Sequence, residues 1–378
     1  MKKIILLLLL LLCPVRVYAE ELIPNATSGV LIEASTGKVL FEKEKDKRVS
    51  VASMTKMVAQ IIIMEELESK KIKLTDVVTV SKNASDMGGS QIYLEQGEKI
   101  TVEDLLKGIS IASGNDATVA MAEYISGSEE KFVKRMNKKV KELKLKNTHF
   151  TNCTGLDEDN HYSTASDMAV IARELVVKHP NILKISSIYE DYLREDTNRK
   201  FWLVNTNKLI RSYEGTDGLK TGHTDAAGYC LAATTKRNNI RLIAIVLGEK
   251  ESKVRNKETI NLLDYGFINT KVKTIKEKGD TIKKKYLNKA NTKYMDMVLK
   301  NDLNILEDKD NKNNYKYKVT VKKIKYPINK NQVVGEVKVF SNSKLLVKEE
   351  LLSKFRIDKL NLKDYYLDNL INFFYGYL

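Results

Sequence analysis

Two β-hairpin patterns enclose a long, largely helical part of this 378-residue chain. Ser28 to Glu33 and Lys38 to Glu42 alternate around a Thr-Gly turn, and the β-rich runs Gly228 to Thr235 and Ile240 to Gly248 are separated by Asn-Asn. Periodic apolar residues from Val254 to Phe267 then predict a helix packed on the second hairpin. Early strands, middle helices and late strands predict an α+β fold in which both ends of the first domain share one sheet.

The middle of the chain carries helix signals. Four apolar residues have the i, i+3, i+4, i+7 spacing of a helix: Met54, Met57, Val58 and Ile61. Thr101 and Asp104 predict a capping box for a helix that starts at Val102. We expect Asp116 to cap the following helix, which Gly127 ends. Two helices therefore flank a short Ser-Gly-Asn turn.

Beyond the last predicted helix the pattern changes to short alternating stretches such as 317–324 and 333–340, separated by turn residues. This pattern predicts a small β-sandwich domain over 270–360, following a larger domain over 20–269. The final residues, 361–378, place apolar and aromatic side chains on one side of a helix. We expect this amphipathic helix to lie in a membrane interface; docking on its own domain is the alternative.

The N-terminus has the features of a secretory signal peptide. Lys2 and Lys3 precede an apolar run from Ile4 to Leu12, and the Val-Tyr-Ala sequence ending at Ala19 is of the kind that signal peptidase cleaves. We therefore expect removal of residues 1–19 and export. An uncleaved anchor is the alternative, but the apolar run is too short to span a bilayer.

Charge and residue content restrict the partners and cofactors. Lys and Arg outnumber Asp and Glu by 64 to 49, a formal charge of +15. For an exported protein this favours anionic wall polymers or lipid headgroups over nucleic acid, and a solvated lysine-rich surface is the alternative. The histidines, and the mature cysteines Cys153 and Cys230, lack metal-ligand spacing, so we expect no metal and no other cofactor. Whether the two cysteines pair stays open.

Three short motifs offer a way to activate a serine without a Ser-His-Asp set. Ser53 and Lys56 are three residues apart at a helix start, so the amine can reach the hydroxyl as a base. This needs neutral Lys56, and burial beside a second cation such as Lys220 is expected to lower its pKa. In the Ser-Gly-Asn turn, the Ser113 hydroxyl can relay a proton toward a leaving amine and Asn115 can bind the substrate backbone.

The third motif, Lys220-Thr221-Gly222, lies on a predicted extended segment. Gly222 permits close backbone approach, and Thr221 can bind a terminal carboxylate. The backbone N–H groups of Ser53 and His223 are expected to form an oxyanion hole. Each motif alone is weak, but the three in this order and context favour one active site.

These motifs are known together in class A β-lactamases and penicillin-binding proteins, and the surrounding sequence resembles low-molecular-mass D-alanyl-D-alanine carboxypeptidases of serine peptidase family S11. The resemblance rests on SVASMTK at 50–56, ASGNDA at 112–117, NCTGLDEDNHYSTASD at 152–167 and DGLKTGHTDAAGY at 217–229. It implies a β-lactamase/transpeptidase-like domain, with an antiparallel sheet flanked by helices. It also implies penicillin-sensitive removal of the terminal D-alanine from peptidoglycan stem peptides, at the outer face of the cytoplasmic membrane.

The resemblance also implies roles for single residues. They are Ser53 as acylated nucleophile, Lys56 as base, Ser113 as proton relay, and Lys220 as electrostatic partner and substrate ligand. Arg255 matches a position that binds the substrate carboxylate in relatives; an exposed helical charge is the alternative. Some relatives have an Asn-Arg-Asn triplet where this chain has Asn205-Thr206-Asn207, so a contact made by that arginine is absent.

Three other functions are conceivable for a chain with these motifs. A class A β-lactamase needs a deacylating glutamate in an ExxLN segment, and the nearest match, 190–194, lacks the asparagine and lies too close to the Lys-Thr-Gly motif. A transpeptidase or endopeptidase differs from a carboxypeptidase only in the acceptor, which the sequence leaves open. A non-catalytic wall-binding protein should have lost Ser53, Lys56 or Lys220, and all three are present.

Overall fold

The computed structural model describes residues 22–361, apart from 239, 308–314 and 342. The predicted signal peptide and residues 362–378 of the predicted C-terminal helix lie outside this range. The described residues form two compact units: one contains residues up to Leu31, 41–235 and 243–265, and the other contains 32–40, 236–242 and the residues from 266 onward. Within the described range, no helix is both long and apolar enough to cross a membrane.

Strands and helices alternate along the first unit, and strands predominate in the second. In chain order the strands are β1 Ser28–Glu33, β2 Val39–Lys43, β3 Val77–Thr79, β4 Lys99–Thr101, β5 Glu190–Leu193, β6 Phe201–Val204, β7 Thr216–Thr224, β8 Gly228–Arg237, β9 Ile240–Glu249, β10 Val272–Lys276, β11 Thr281–Tyr286, β12 Tyr294–Leu299, β13 Leu303–Leu306, β14 Lys316–Val321, β15 Val333–Ser341 and β16 Lys344–Ser353. The α-helices are α1 Lys56–Glu68, α2 Lys82–Ser85, α3 Val102–Lys107, α4 Asn115–Ser126, α5 Glu129–Glu142, α6 Ala165–Lys178, α7 Leu183–Ser186, α8 Leu209–Ser212 and α9 Ser252–Asn269.

The main sheet has the strand order β2-β1-β9-β8-β7. Because β1 lies beside β9, strands from both ends of the first domain share one sheet, and this prediction is confirmed. The middle residues of β8 and β9 are buried in unbroken runs, as expected for the interior strands of a sheet covered on both faces. Strand β7 carries the Lys-Thr-Gly motif and lies at the edge of this sheet, antiparallel to β8.

Thr101 is the N-cap of α3, as predicted. The Thr101 hydroxyl accepts a hydrogen bond from the Asp104 backbone N–H at 3.1 Å and donates to the Asp104 carboxylate at 2.9 Å. The helix does not stay α-helical to its end, because residues Gly108–Ala112 form a wider π-helical turn. That turn leads into the Ser-Gly-Asn motif.

The predicted N-cap of α4 is wrong. Gly114 occupies that position, and Asp116 lies in the first turn of the helix. The Asp116 carboxylate accepts hydrogen bonds from the backbone N–H groups of Ile92 and Leu94 at 3.0 and 3.1 Å, so it fastens a distant segment to the helix start. Gly127 ends α4 with a φ of 80°, as predicted.

The second unit contains a five-stranded sheet, β11-β12-β16-β15-β14, and a two-stranded sheet, β10-β13. The predicted alternating stretches are found as β14 and β15, which pair antiparallel. Both sheets contribute to one apolar cluster, which includes Met295 and Met297 of β12, Leu303 of β13 and Leu351 of β16. This unit is therefore a β-rich domain with a core of its own.

Candidate active site

Ser53 lies in a single 3₁₀ turn, Ala52–Thr55, which runs directly into α1. Ala52 has a φ of 47°, a left-handed conformation that costs a non-glycine residue about 1 to 2 kcal/mol. Gly155 has a φ of 87°, and a Cβ atom there would collide with the Ala52 carbonyl group. The serine is thus held on a strained turn against which only a glycine fits.

The Lys56 side chain is fully buried and reaches three oxygen atoms. Its Nζ lies 2.7 Å from Ser53 Oγ, 2.6 Å from Asn115 Oδ1 and 2.7 Å from the Thr154 carbonyl oxygen. Burial lowers the pKa of Lys56 to about 7, against the opposing effects of Cys153 and Asp116. A neutral amine can therefore donate to Asn115 and Thr154 and accept the proton of the Ser53 hydroxyl.

The Thr154 carbonyl is positioned by a tight loop that lies outside the three motifs predicted to form the site. Asn152 Oδ1 accepts hydrogen bonds from the backbone N–H groups of Thr154 at 3.2 Å and Gly155 at 2.7 Å. Such a loop is typical of an asparagine that bonds to the backbone two or three residues ahead. The Asn-x-Thr-Gly sequence was thus the signal that could have identified this part of the site.

Asn115 connects the lysine to a neighbouring segment. While its Oδ1 accepts from Lys56, its Nδ2 donates to the Gly88 carbonyl at 2.7 Å, and its backbone N–H donates to the Ser90 carbonyl at 2.7 Å. Asn115 therefore orients Lys56, in addition to the substrate contact predicted from sequence. Ser113, two residues earlier, is buried in a left-handed conformation with a φ of 65°.

Lys220 and Arg255 are two further buried basic side chains of the site. Lys220, on β7, is 1% exposed and donates to the carbonyl of Thr221 at 3.0 Å. Its pKa is held well below the usual range by burial, and further lowered by the charges of Lys56 and Arg255. Arg255, on α9, is 4% exposed, so its interpretation as an exposed helical charge is wrong. Buried basic groups whose charges act on one another form a favourable place for an anion.

The prediction that burial lowers the pKa of Lys56 is confirmed, but the contribution expected from the charge of Lys220 is not found there. The repulsion between the two amines instead lowers the pKa of Lys220. With a pKa of about 7, Lys56 is partly neutral at pH 7, so a base is available beside the serine hydroxyl.

Strand β7 packs closely against the turn that carries Ser53. A Cβ atom on Gly222 would lie 2.7 Å from the Val51 carbonyl oxygen and 3.3 Å from the Met54 backbone nitrogen, so glycine is needed for this approach. His223 follows on the same edge strand, with its exposed ring 4.0 Å from that of Tyr229. The His223 side chain thus packs on Tyr229, and only its backbone N–H is expected to take part in the oxyanion hole.

The side chains of Thr221 and Thr206 are joined by a hydrogen bond. The Thr221 hydroxyl donates to Thr206 Oγ1 at 2.7 Å, and the Thr206 backbone N–H donates to the carbonyl of Ile111 at 3.2 Å. Thr206 is the middle residue of the triplet that departs from the pattern of some relatives. Although Thr206 replaces the arginine of those relatives, its short hydroxyl side chain contacts the strand that carries the Lys-Thr-Gly motif.

The His161 side chain has a structural role beside the serine turn. The Thr151 backbone N–H donates to His161 Nδ1 at 3.2 Å, so His161 Nε2 donates to Thr55 Oγ1 at 2.8 Å. Burial lowers the pKa of His161 to about 4, which keeps the ring neutral at physiological pH.

Cys153 and Cys230 are both buried free thiols, so the two cysteines do not form a disulfide in this structure.

Comparisons with known proteins agree with this arrangement. The D-alanyl-D-alanine carboxypeptidase model of peptidase family S11 matches residues 17–251, and the model of the penicillin-binding protein 5 C-terminal domain matches residues 271–359. The chain is 48% identical to D-alanyl-D-alanine carboxypeptidase DacF of Bacillus subtilis, over 89% of this chain and 86% of that protein. It is 41% identical to DacA of Escherichia coli, over 64% of this chain and 61% of that protein.

Solved structures give the same relationship. Penicillin-binding protein 5 of Haemophilus influenzae matches with a TM-score of 0.68 and 32% identity, covering 89% of this chain and 98% of that one. Penicillin-binding protein D2 of Listeria monocytogenes, in its ampicillin-bound form, matches with a TM-score of 0.58 and 29% identity, covering 64% and 98%. The chain therefore belongs to the D-alanyl-D-alanine carboxypeptidase family, serine peptidase family S11.

Proposed function

We propose that this protein is a serine-type D-Ala-D-Ala carboxypeptidase that removes the terminal D-alanine from peptidoglycan stem pentapeptides through an acyl-Ser53 intermediate. One observation carries the proposal: the buried Lys56 amine, with a pKa of about 7, lies 2.7 Å from Ser53 Oγ. A buried amine that is half neutral at physiological pH is a suitable general base.

Acylation follows from this geometry. The Ser53 proton moves to Lys56 Nζ as Ser53 Oγ bonds to the carbonyl carbon of the penultimate D-alanine. The resulting oxyanion accepts hydrogen bonds from the backbone N–H groups of Ser53 and His223. Because β7 is an edge strand packed against the serine turn, its outward N–H groups face the substrate rather than another strand.

Departure of the leaving group completes the first half of the reaction. The C–N bond breaks, and the proton held by Lys56 passes through the Ser113 hydroxyl to the amine of the departing D-alanine. Before cleavage, the terminal carboxylate is held by Lys220, Arg255 and the Thr221 hydroxyl, where buried positive charge attracts it. The acyl group stays on Ser53 Oγ until an acceptor attacks.

Water is the acceptor in the carboxypeptidase reaction, and the amine of another stem peptide would make the enzyme a transpeptidase. We favour water because the relatives that match over most of the chain are named as carboxypeptidases. A β-lactamase reaction is disfavoured. Glu190, the nearest candidate for a deacylating glutamate, is exposed and pairs with Val204 in a strand.

β-Lactams are expected to acylate the same serine, since the Listeria relative is in an ampicillin-bound form. We further propose that the protein is exported by its signal peptide. On this proposal its 361–378 helix holds it to the outer face of the cytoplasmic membrane, with no role in binding nucleic acid. The aromatic, amphipathic character of that segment supports an interfacial position.

The activity is tested with a synthetic stem pentapeptide and a dimeric muropeptide, with products resolved by mass. The mature protein should release free D-alanine from the pentapeptide and leave the cross-link of the dimer largely intact. Ser53→Ala should abolish release while keeping the same thermal unfolding midpoint. Preferential cleavage of the dimer would replace carboxypeptidase with endopeptidase, and D-alanine release by Ser53→Ala would refute the nucleophile.

A further inference from the structure

The hairpin formed by β5 and β6 exposes two aromatic side chains on one face. Tyr192 and Trp202 lie directly opposite each other in the strand register, with 42% and 54% of their surfaces exposed. The indole of Trp202 takes part in no hydrogen bond or ring contact with the described residues. The Lys200 amine lies 3.9 Å from the centre of the Tyr192 ring. We call Tyr192 and Trp202 together the aromatic hairpin face.

The other face of the hairpin is buried, and it anchors the hairpin to the segment around Tyr93, whose neighbours Ile92 and Leu94 are held by Asp116. Leu193 and Leu203 are buried, and the Phe201 ring packs edge-on against Tyr93 at 5.6 Å. Arg199 donates to the Tyr93 carbonyl at 2.8 Å. Since alternate residues of a strand face opposite ways, Tyr192 and Trp202 point away from this anchor.

Both ends of the hairpin connect to groups placed in the reaction. Arg194, after β5, donates to the carbonyl of Ile92 at 2.8 Å, and the Ile92 N–H is held by Asp116, next to Asn115. After β6, the chain continues through Asn205 to Thr206, whose hydroxyl accepts a hydrogen bond from Thr221. The hairpin that carries the aromatic hairpin face is therefore connected at both ends to the segments that carry Asn115 and Thr221.

Trp202 lies within the length of the substrate from the site. Only three residues lie between Trp202 and Thr206, so their Cα atoms are at most about 13 Å apart. In a stem pentapeptide, four residues lie between the scissile bond and the sugar, and in extended form they span about 13 to 14 Å. A stem whose carboxylate end lies at Thr221 can therefore bring its saccharide to Trp202.

We propose that the aromatic hairpin face binds the saccharide that carries the stem peptide, an inference that rests on the proposed function. Pyranose rings present flat faces of C–H groups that pack on aromatic rings, while their hydroxyls bond to neighbouring polar groups such as Lys200. Two side chains form too small an area for a stable protein interface, which buries about 800 Å² on each partner. A ligand of one or two sugar rings fits this area.

The first test compares turnover of a disaccharide pentapeptide with that of the free pentapeptide of the same sequence. In the parent protein, the ratio of their kcat/KM values should be about 10, and in Trp202→Ala it should fall toward 1, mainly through KM. Trp202→Phe should recover most of the ratio. Tyr286→Ala, which replaces a similarly exposed tyrosine on β11, should leave it unchanged. An unchanged ratio in Trp202→Ala overturns the proposal.

The second test measures binding without turnover. Trp202 is the only tryptophan of the chain, so in Ser53→Ala the intrinsic fluorescence reports on this one side chain. The disaccharide pentapeptide should shift the emission to shorter wavelength, and the free pentapeptide should not. Equal responses to both ligands, or none, overturn saccharide binding. If the parent protein releases D-alanine from neither substrate, the proposed function fails instead, whatever the fluorescence shows.

Discussion

The protonation state of Lys56 should control the rate at which Ser53 is acylated. The perturbation is pH, and the readout is the second-order rate constant for labelling of the mature protein by a fluorescent penicillin. Because the neutral amine is the base, the rate should fall as pH drops below the pKa of about 7 and level off above it. His161, with a pKa of about 4, stays neutral through most of this window.

The magnitude follows from the titration of one group. With a pKa of about 7, roughly half of the lysine is neutral at pH 7 and about 1% at pH 5, so labelling should slow about 50-fold. Between pH 7 and 9 it should rise only about 2-fold. An ordinary lysine, with a pKa near 10.4, would instead give about a 100-fold rise over that upper interval.

A continued tenfold rise for each pH unit up to pH 9 would refute the assignment of a buried, half-neutral lysine. Thermal unfolding measured at each pH serves as the control, since loss of the fold at pH 5 would mimic loss of the base. Labelling of Ser53→Ala at each pH gives the background to subtract.

Three further changes test separate parts of the site and fold. Gly155→Ala forces a side chain against the Ala52 carbonyl, so it should lower the free energy of unfolding by about 2 to 4 kcal/mol and slow labelling at least 10-fold, as measured by denaturant unfolding and penicillin labelling. Lys220→Met should slow D-alanine release about 100-fold, yet leave the labelling pKa within about one unit of 7, because burial sets it; a larger shift would assign that pKa to Lys220. Phe132→Ala, at a fully buried position of α5, should cost about 3 to 5 kcal/mol of stability and keep penicillin labelling below the unfolding temperature; a loss under 1 kcal/mol would contradict the packing described.

Much of the fold could be predicted from local patterns. The main hairpins form where their sequences indicate, and the Thr101 cap follows from neighbouring residues. The N-cap of α4 was assigned wrongly because the partners of Asp116, Ile92 and Leu94, lie more than twenty residues away. A local pattern contains no information about such partners. Aspartate is a common N-cap residue, so the sequence pattern favours that role for Asp116.

The site was predictable only as far as its motifs extend. Ser53 and Lys56 belong to one helical turn, so their contact follows from helix geometry. The Thr154 carbonyl reaches Lys56 through a loop almost one hundred residues away, a distance that only the folded chain can bridge. The low pKa of Lys56 depends on burial by several elements together. The sequence predicts this burial but not which elements supply it, and the charge effect it also predicts lowers the pKa of Lys220 instead.

The proposed mechanism requires that Ser53, activated by Lys56, is the residue that becomes acylated. Intact mass of the mature protein after incubation with benzylpenicillin, followed by peptide mapping, measures this without an intervening assumption. We predict one long-lived adduct on the peptide that contains Ser53, and no adduct in Ser53→Ala. An adduct on any other residue, or rapid turnover of the penicillin with no adduct, would contradict the mechanism.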